Sequence, residues 1–128
     1  MREITDIFKA ISEPNRVRIL LMLLQKSLCV CEIKTILNIS MPTVSSHLTM
    51  LRKAGFIEDS KDGKWINYNI RKNSDNQVIN DIIGSIENWY SNSEIVKQDI
   101  EYVKSVDRNQ LICNHSQNEI NNQIIKGN

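Results

Sequence analysis

A mostly α-helical fold carrying one small β-hairpin is what the sequence predicts, on three observations. Apolar residues recur at helical spacing through the first half of the chain, an Asp-Gly pair separates two strand-like runs, and a long helical rhythm follows. With 128 residues, 41% of them hydrophobic, the chain supplies one domain with a real but small core that pairing with a second copy would enlarge.

The elements follow in order. Ile4, Ile7, Phe8 and Ile11 mark a first helix, and Ser12 with Pro14 predicts its stop, a cap and a first-turn proline for the second. In that second helix Val17, Leu20, Leu21 and Leu24 form one apolar face while Ile19 and Leu23 make the other side apolar too, which places it at the centre of the core. Ile33, Ile36 and Leu37 predict a short third helix. The turn formers of "NISMPT" end it before Thr43 caps a fourth, in which Val44, Leu48 and Leu51 point inward. Gly55 closes that helix. Phe56 to Ser60 and "WINYNI" are the two strands of a hairpin turned at Asp62-Gly63. From Val78 to Val103 the rhythm predicts one long helix with more apolar positions than a small domain covers, and so a dimer. The organisation is a domain over 1–106 and a polar, Asn/Gln-rich, flexible tail over 107–128.

Several classes are disfavoured by composition. No run of about 18 apolar residues occurs and "MREITDIFKA" lacks the build of a signal peptide, so the expected location is cytoplasmic. Three cysteines in a reducing compartment point to metal or redox chemistry rather than structural disulfides. The net charge of +1 hides an asymmetry: residues 1–72 hold 12 Lys/Arg against 7 Asp/Glu, and residues 73–128 hold 4 against 8. A basic first part suits a polyanion.

Helix, helix, short helix, tight turn, helix and hairpin is the order of a winged helix-turn-helix. Ser40, Pro42, Thr43, Ser45, Ser46, His47 and Thr49 lie on or beside the fourth helix, where small polar groups can approach base edges; Arg52, Lys53, Lys61 and Lys64 offer charge to phosphates. The bland alternatives are a solvated helix face and a winged helix used only for protein contacts.

The stretches "FKAISEPNRVRILLMLL", "LCVCEI" and "ISMPTVSSHLTMLRKAGFIEDSKDGKWINYNI" resemble, in that order and over about Ile4 to Ile70, the ArsR/SmtB family of metal- and metalloid-responsive repressors, its arsenite-responsive type. The resemblance implies a homodimeric repressor of double-stranded operator DNA, not an enzyme, with no organic cofactor and an affinity that falls when a thiophilic ion binds. It also implies an interface through the first and last helices, which places Ile4, Ile7, Phe8, Ile82, Ile86, Trp89 and Tyr90 there. His47 falls in the "SSHL" stretch, facing DNA or packing between helices. A second, zinc-type site on the last helix is disfavoured, because Asp81 is followed by Ile83 where a histidine is needed.

Cys29 and Cys31 are the candidate ion ligands. Two apart, they share a face only on extended or bent chain, as where it enters a helix. There the helix dipole is expected to favour thiolate, and soft thiolates select thiophilic ions. They could instead be small buried hydrophobes or a redox pair. The resemblance makes "CVC" the arsenite or antimonite site, with cadmium, lead, zinc or persulfide sensing as the alternative and a thiol-based metal-handling or redox enzyme less favoured. Lys34 stands where a third cysteine often follows in the family, and Cys113 in the tail is the remaining candidate third ligand.

Overall fold

The computed structural model describes residues 3–111. Its elements are α1 (Ile4–Ala10), α2 (Pro14–Leu23), β1 (Leu28–Cys29), α3 (Val30–Leu37), α4 (Met41–Ala54), β2 (Ile57–Asp62), β3 (Trp65–Ile70), α5 (Gln77–Trp89), α6 (Glu94–Ser105) and a 3-10 turn at Arg108–Gln110. The winged helix-turn-helix order is present, with one strand and one helix more than expected.

α2 is central, as its two-sided apolar pattern predicts: Val17, Ile19, Leu20, Leu21, Met22 and Leu23 are all buried, and the helix packs on α4, α6 and β3. Its cap is Glu13 rather than Ser12. The Glu13 carboxylate accepts from the Asn15 and Arg16 amides at 2.7 and 3.2 Å, while the Ser12 hydroxyl turns back to the Lys9 carbonyl. α4 likewise starts earlier than expected. Ser40 is its cap, accepting from the Thr43 amide at 3.3 Å, and Pro42 sits in the first turn, where it needs no donor. Val44, Leu48 and Leu51 enter the core, and Gly55 ends the helix at φ 97°, in the left-handed region.

β2 and β3 pair antiparallel with Asp62 opposite Trp65, leaving Gly63 and Lys64 as a two-residue turn with Gly63 at φ 62°. The added strand, β1, sets Leu28 opposite Tyr68 and Cys29 opposite Asn67, for a sheet ordered β1-β3-β2. One backbone therefore joins the first cysteine to the wing.

The single long helix expected from Val78 to Val103 is two. α5 ends at Tyr90, and Ser93 caps α6 by accepting from the Val96 amide at 3.3 Å; the turn-forming "SNS" outweighs the continuing apolar rhythm. α6 packs on α2 and α3 and pins itself through Asp99, whose carboxylate accepts from Arg18 Nε and Nη2 at 2.8 and 2.9 Å. Ile7, Ile82 and Ile86, expected at a dimer interface, lie instead in the protomer's own core. A fully buried side chain has no face to offer a second copy, so the exposed apolar residues of that set are Ile4, Phe8, Trp89 and Tyr90.

Candidate functional site: a thiol cleft beside the helix-turn-helix

Cys29 is the last residue of β1 and the cap of α3, with extended dihedrals of φ −95° and ψ 169°. Cys31 sits in the first turn of α3 rather than ahead of it. The bend required for two cysteines at this spacing to share a face is thus supplied where strand becomes helix. Both are buried, at 2% and 3% exposure, and they form a small cluster apart from the main core with Met41, Trp65 and Leu111 packed against them.

A cleft of about 170 Å³ opens beside them, lined by Cys29, Val30, Cys31, Met41, Ser45, Trp65, Ile66 and Tyr68. Three elements therefore meet around the sulfurs: the start of α3, the first turns of α4 through Met41 and Ser45, and the β3 strand of the wing. Met41 and Ser45 are four apart, one above the other on a single helix face.

The electrostatics correct one expectation. Burial pushes the Cys29 thiol above its ordinary range, and the neighbouring Glu32 charge adds to that. The α3 amides and Arg108 pull the other way without overcoming desolvation. The resting form at neutral pH is the thiol, not the thiolate. Glu32 is held there by structure, because its carboxylate accepts from the Cys29 amide at 2.9 Å and closes a capping box in which the Cys29 sulfur takes the place usually held by a hydroxyl. Cys29 is a free thiol.

As a donor set the cleft offers two soft sulfurs. Among the described residues no group of three His, Cys, Asp or Glu side chains converges on one point. Two sulfurs in a mostly apolar cleft fit a thiophilic ion that accepts few ligands and do not fit a hard cation that needs an oxygen cage. Cys113 lies outside the described residues.

The residues expected to face DNA divide clearly. Ser40, Pro42, Thr43, Ser45, Ser46, Arg52, Lys53, Lys61 and Lys64 are exposed and Thr49 is half-buried. Of the two places open to His47, the structure takes packing between helices: it is buried at 8% exposure between α4 and the start of α2, with Nδ1 3.3 Å from Arg16 Nη1 and Nε2 3.7 Å from Glu13 Oε1. It ties α4 to the body and does not reach outward. Arg52 lies 3.8 Å from Asp59 of β2, and the Lys64 ammonium rests 5.2 Å from the Trp65 ring, so both cations are steadied by the wing.

Sequence reasoning missed Arg108. Its Nη1 donates to Asn67 Oδ1 at 2.6 Å and its Nη2 to Asp62 Oδ2 at 2.9 Å, and its guanidinium lies 5.0 Å from the centre of the Trp65 ring, which lines the cleft. No spacing rule connects residue 108 with residue 29; only its basic character in an acidic half was visible.

The arsR-family model of bacterial regulatory proteins matches residues 13–59, which run from the cap of α2 into β2. An uncharacterized HTH-type transcriptional regulator of Methanocaldococcus jannaschii is 44% identical over 66 residues, 51% of this chain and 74% of that protein. The chain belongs to the arsR family. The arsenical resistance operon repressor of Escherichia coli K12 is 40% identical over 66 residues, 51% of this chain and 56% of its own length. The cadmium resistance transcriptional regulatory protein CadC of Listeria innocua is 39% identical over 69 residues, 53% and 58% of the two chains. The match thus spans little more than half the length of those two relatives. Among solved structures, HlyU from Vibrio cholerae superposes with a TM-score of 0.59 at 26% identity, covering 68% of this chain and 90% of that one. Among the described residues of this arsR-family chain, no helix is long and apolar enough to cross a membrane.

Proposed function

We propose that this arsR-family chain is a homodimeric, non-enzymatic repressor that binds operator DNA and releases it when arsenite or antimonite is captured by Cys29 and Cys31. One observation carries the reading: the two sulfurs and the first turns of α4 line the same cleft. In the proposed dimer two α4 helices enter successive major grooves, with half-sites about 34 Å apart. The exposed Ser40, Thr43, Ser45 and Ser46 approach base edges while Arg52, Lys53, Lys61 and Lys64 hold phosphates. Ile4, Phe8, Trp89 and Tyr90 supply apolar surface for the second copy.

In the reduced protein two thiols condense with arsenous acid. Two S–H and two As–O bonds break, two S–As bonds form, and two waters leave; no proton is released and the arsenic stays trivalent. Bringing both sulfurs onto one atom pulls the Cys29 cap against the first turn of α3 and presses on Met41 and Ser45. The α3–α4 angle that suits the grooves then competes with the ligand. By linkage, an ion favouring the DNA-free form weakens DNA binding by the same factor by which DNA weakens ion binding.

The test is a gel shift with duplex selected by the protein from a random library, titrated with arsenite, antimonite, cadmium, lead and zinc under reducing conditions. The expected result is release by arsenite at the lowest concentration and none from Cys29→Ser. Release of both proteins at one arsenite concentration overturns the assignment.

A second reading, thiol-redox or persulfide sensing by the same fold, is supported by the free thiol of Cys29 beside Cys31 in the same cleft. Mass mapping after peroxide or polysulfide treatment separates it: oxidative release of DNA with a defined sulfur linkage favours this reading, and release by arsenite alone favours the first.

A further inference from the structure

The two-thiol capture proposed above leaves one hydroxyl on the arsenic or antimony atom. A polar group buried in an apolar cleft needs a hydrogen-bond partner. The walls beside Cys29 are mostly apolar, Val30, Met41, Trp65 and Ile66, and the hydroxyls among them are those of Ser45 and Tyr68, neutral groups without a charge to offer. Arg108 is a cation at this edge, its guanidinium 5.0 Å from the Trp65 ring centre. Its 3-10 turn follows α6, and Leu111 just beyond packs on the cysteine cluster, so the segment lies against the cleft rather than away from it. The guanidinium has five donors; the bonds to Asn67 at 2.6 Å and Asp62 at 2.9 Å engage Nη1 and Nη2 without using all five, and Asn67 is the residue paired with Cys29 across the sheet.

We propose that Arg108 is a ligand-binding and specificity-determining residue of this site, donating a hydrogen bond to the hydroxyl retained by trivalent arsenic or antimony. The inference rests on the arsenite reading and adds the group that completes it. Arg108 is charged at every working pH, so a neutral hydroxo species gains a charge-assisted bond from it, whereas a bare dication meets a like charge. The residue therefore separates ligands by whether they carry an oxygen. The same bond links the site to the wing, since Arg108 reaches the bound oxygen from the side chains of β2 and β3 that hold it.

The experiment measures arsenite and cadmium affinity of the reduced full chain by sulfur-to-ion charge-transfer absorbance, in the wild type, Arg108→Gln, Arg108→Lys and Cys29→Ser. For Arg108→Gln the expected result is arsenite binding weakened about tenfold or more, the loss of one charge-assisted bond, with cadmium affinity unchanged or higher. Arg108→Lys, which keeps the charge and a donor, recovers part of the arsenite affinity. Equal loss for both ions makes Arg108 a strut of the wing and overturns the proposal, as does no loss for either. Wild-type protein that binds no arsenite, or Cys29→Ser that binds it as well as wild type, overturns the arsenite reading and this inference together. Selective failure of Arg108→Gln to behave as expected overturns the inference alone.

Discussion

Glu32 accepts a hydrogen bond from the Cys29 amide at 2.9 Å, so the residue that caps α3 is also a thiol of the cleft. The carboxylate performs two separable tasks: it satisfies an amide that the helix leaves open, and it places negative charge beside the sulfur. Glu32→Gln keeps the first and removes the second. Its stability should match wild type within a few tenths of a kcal/mol, whereas Glu32→Ala should lose about 1 kcal/mol in urea denaturation. Both variants should lower the Cys29 pKa, measured by thiolate absorbance against pH.

Stability should fall in alkali. The Cys29 thiol is raised chiefly by burial, and the Tyr68 phenol is raised by burial and then by Asp59. A folded-state value above the unfolded one means that the neutral form is favoured by folding, so the contribution is intact below the unfolded value and is lost as pH rises through the folded one. The decline should begin above about pH 8.5 for the thiol and extend past about pH 10 for the phenol. Chemical denaturation under reducing conditions across that range should show it, with the early part flattened in Cys29→Ser.

Proton counting should distinguish the ions. Capture of arsenous acid by two thiols returns water and no proton, while a dication must displace the proton of the Cys29 thiol, whose pKa burial raises. Arsenite affinity is therefore expected to be nearly flat between about pH 6 and 8, and cadmium affinity to rise with pH by about tenfold per unit for each proton displaced. Calorimetry in buffers of different ionisation enthalpy reads the proton number directly.

His47 and Arg52 occupy the same helix and should fail differently. His47→Ala takes from Arg16 its partner on α4, opens a gap in a buried place and should cost about 1–2 kcal/mol of stability. Arg52→Ala should leave stability within about 0.5 kcal/mol, weaken duplex binding evenly across sequences and reduce the salt slope by about one for each phosphate no longer neutralised.

The joint between α2 and α6 is also open to test. Asp99 is buried and holds Arg18 through two bonds at 2.8 and 2.9 Å, so Arg18→Ala strands a buried carboxylate and should cost about 3 kcal/mol. Asp99→Asn, which removes the charge with the pair, should cost less. Urea denaturation of the two variants beside wild type reads both.

Much of this was legible in the chain. The two-sided apolar pattern of Val17 to Leu24 made α2 central, Val44, Leu48 and Leu51 oriented α4, Gly55 ended it, and Asp62-Gly63 marked the hairpin; each is a local rule that neighbours in sequence satisfy. The cysteine pair was visible too, because a spacing of two restricts which backbone can join the sulfurs. Which caps were used was less so, since Glu13 and Ser40 competed with Ser12 and Thr43 on nearly equal terms.

What only the tertiary structure decided are the relationships between residues far apart in the chain. Burial of Cys29 overrode the helix dipole, because desolvation depends on what surrounds the sulfur and not on its place in α3. The meeting of Met41, Trp65 and Arg108 around it joins residues up to 79 positions away from Cys29, and the fate of Ile82, Ile86 and His47 was settled by which surfaces the body had already filled. Periodicity states which face of a helix is apolar. Only packing states whether that face is covered by the same chain or left for another.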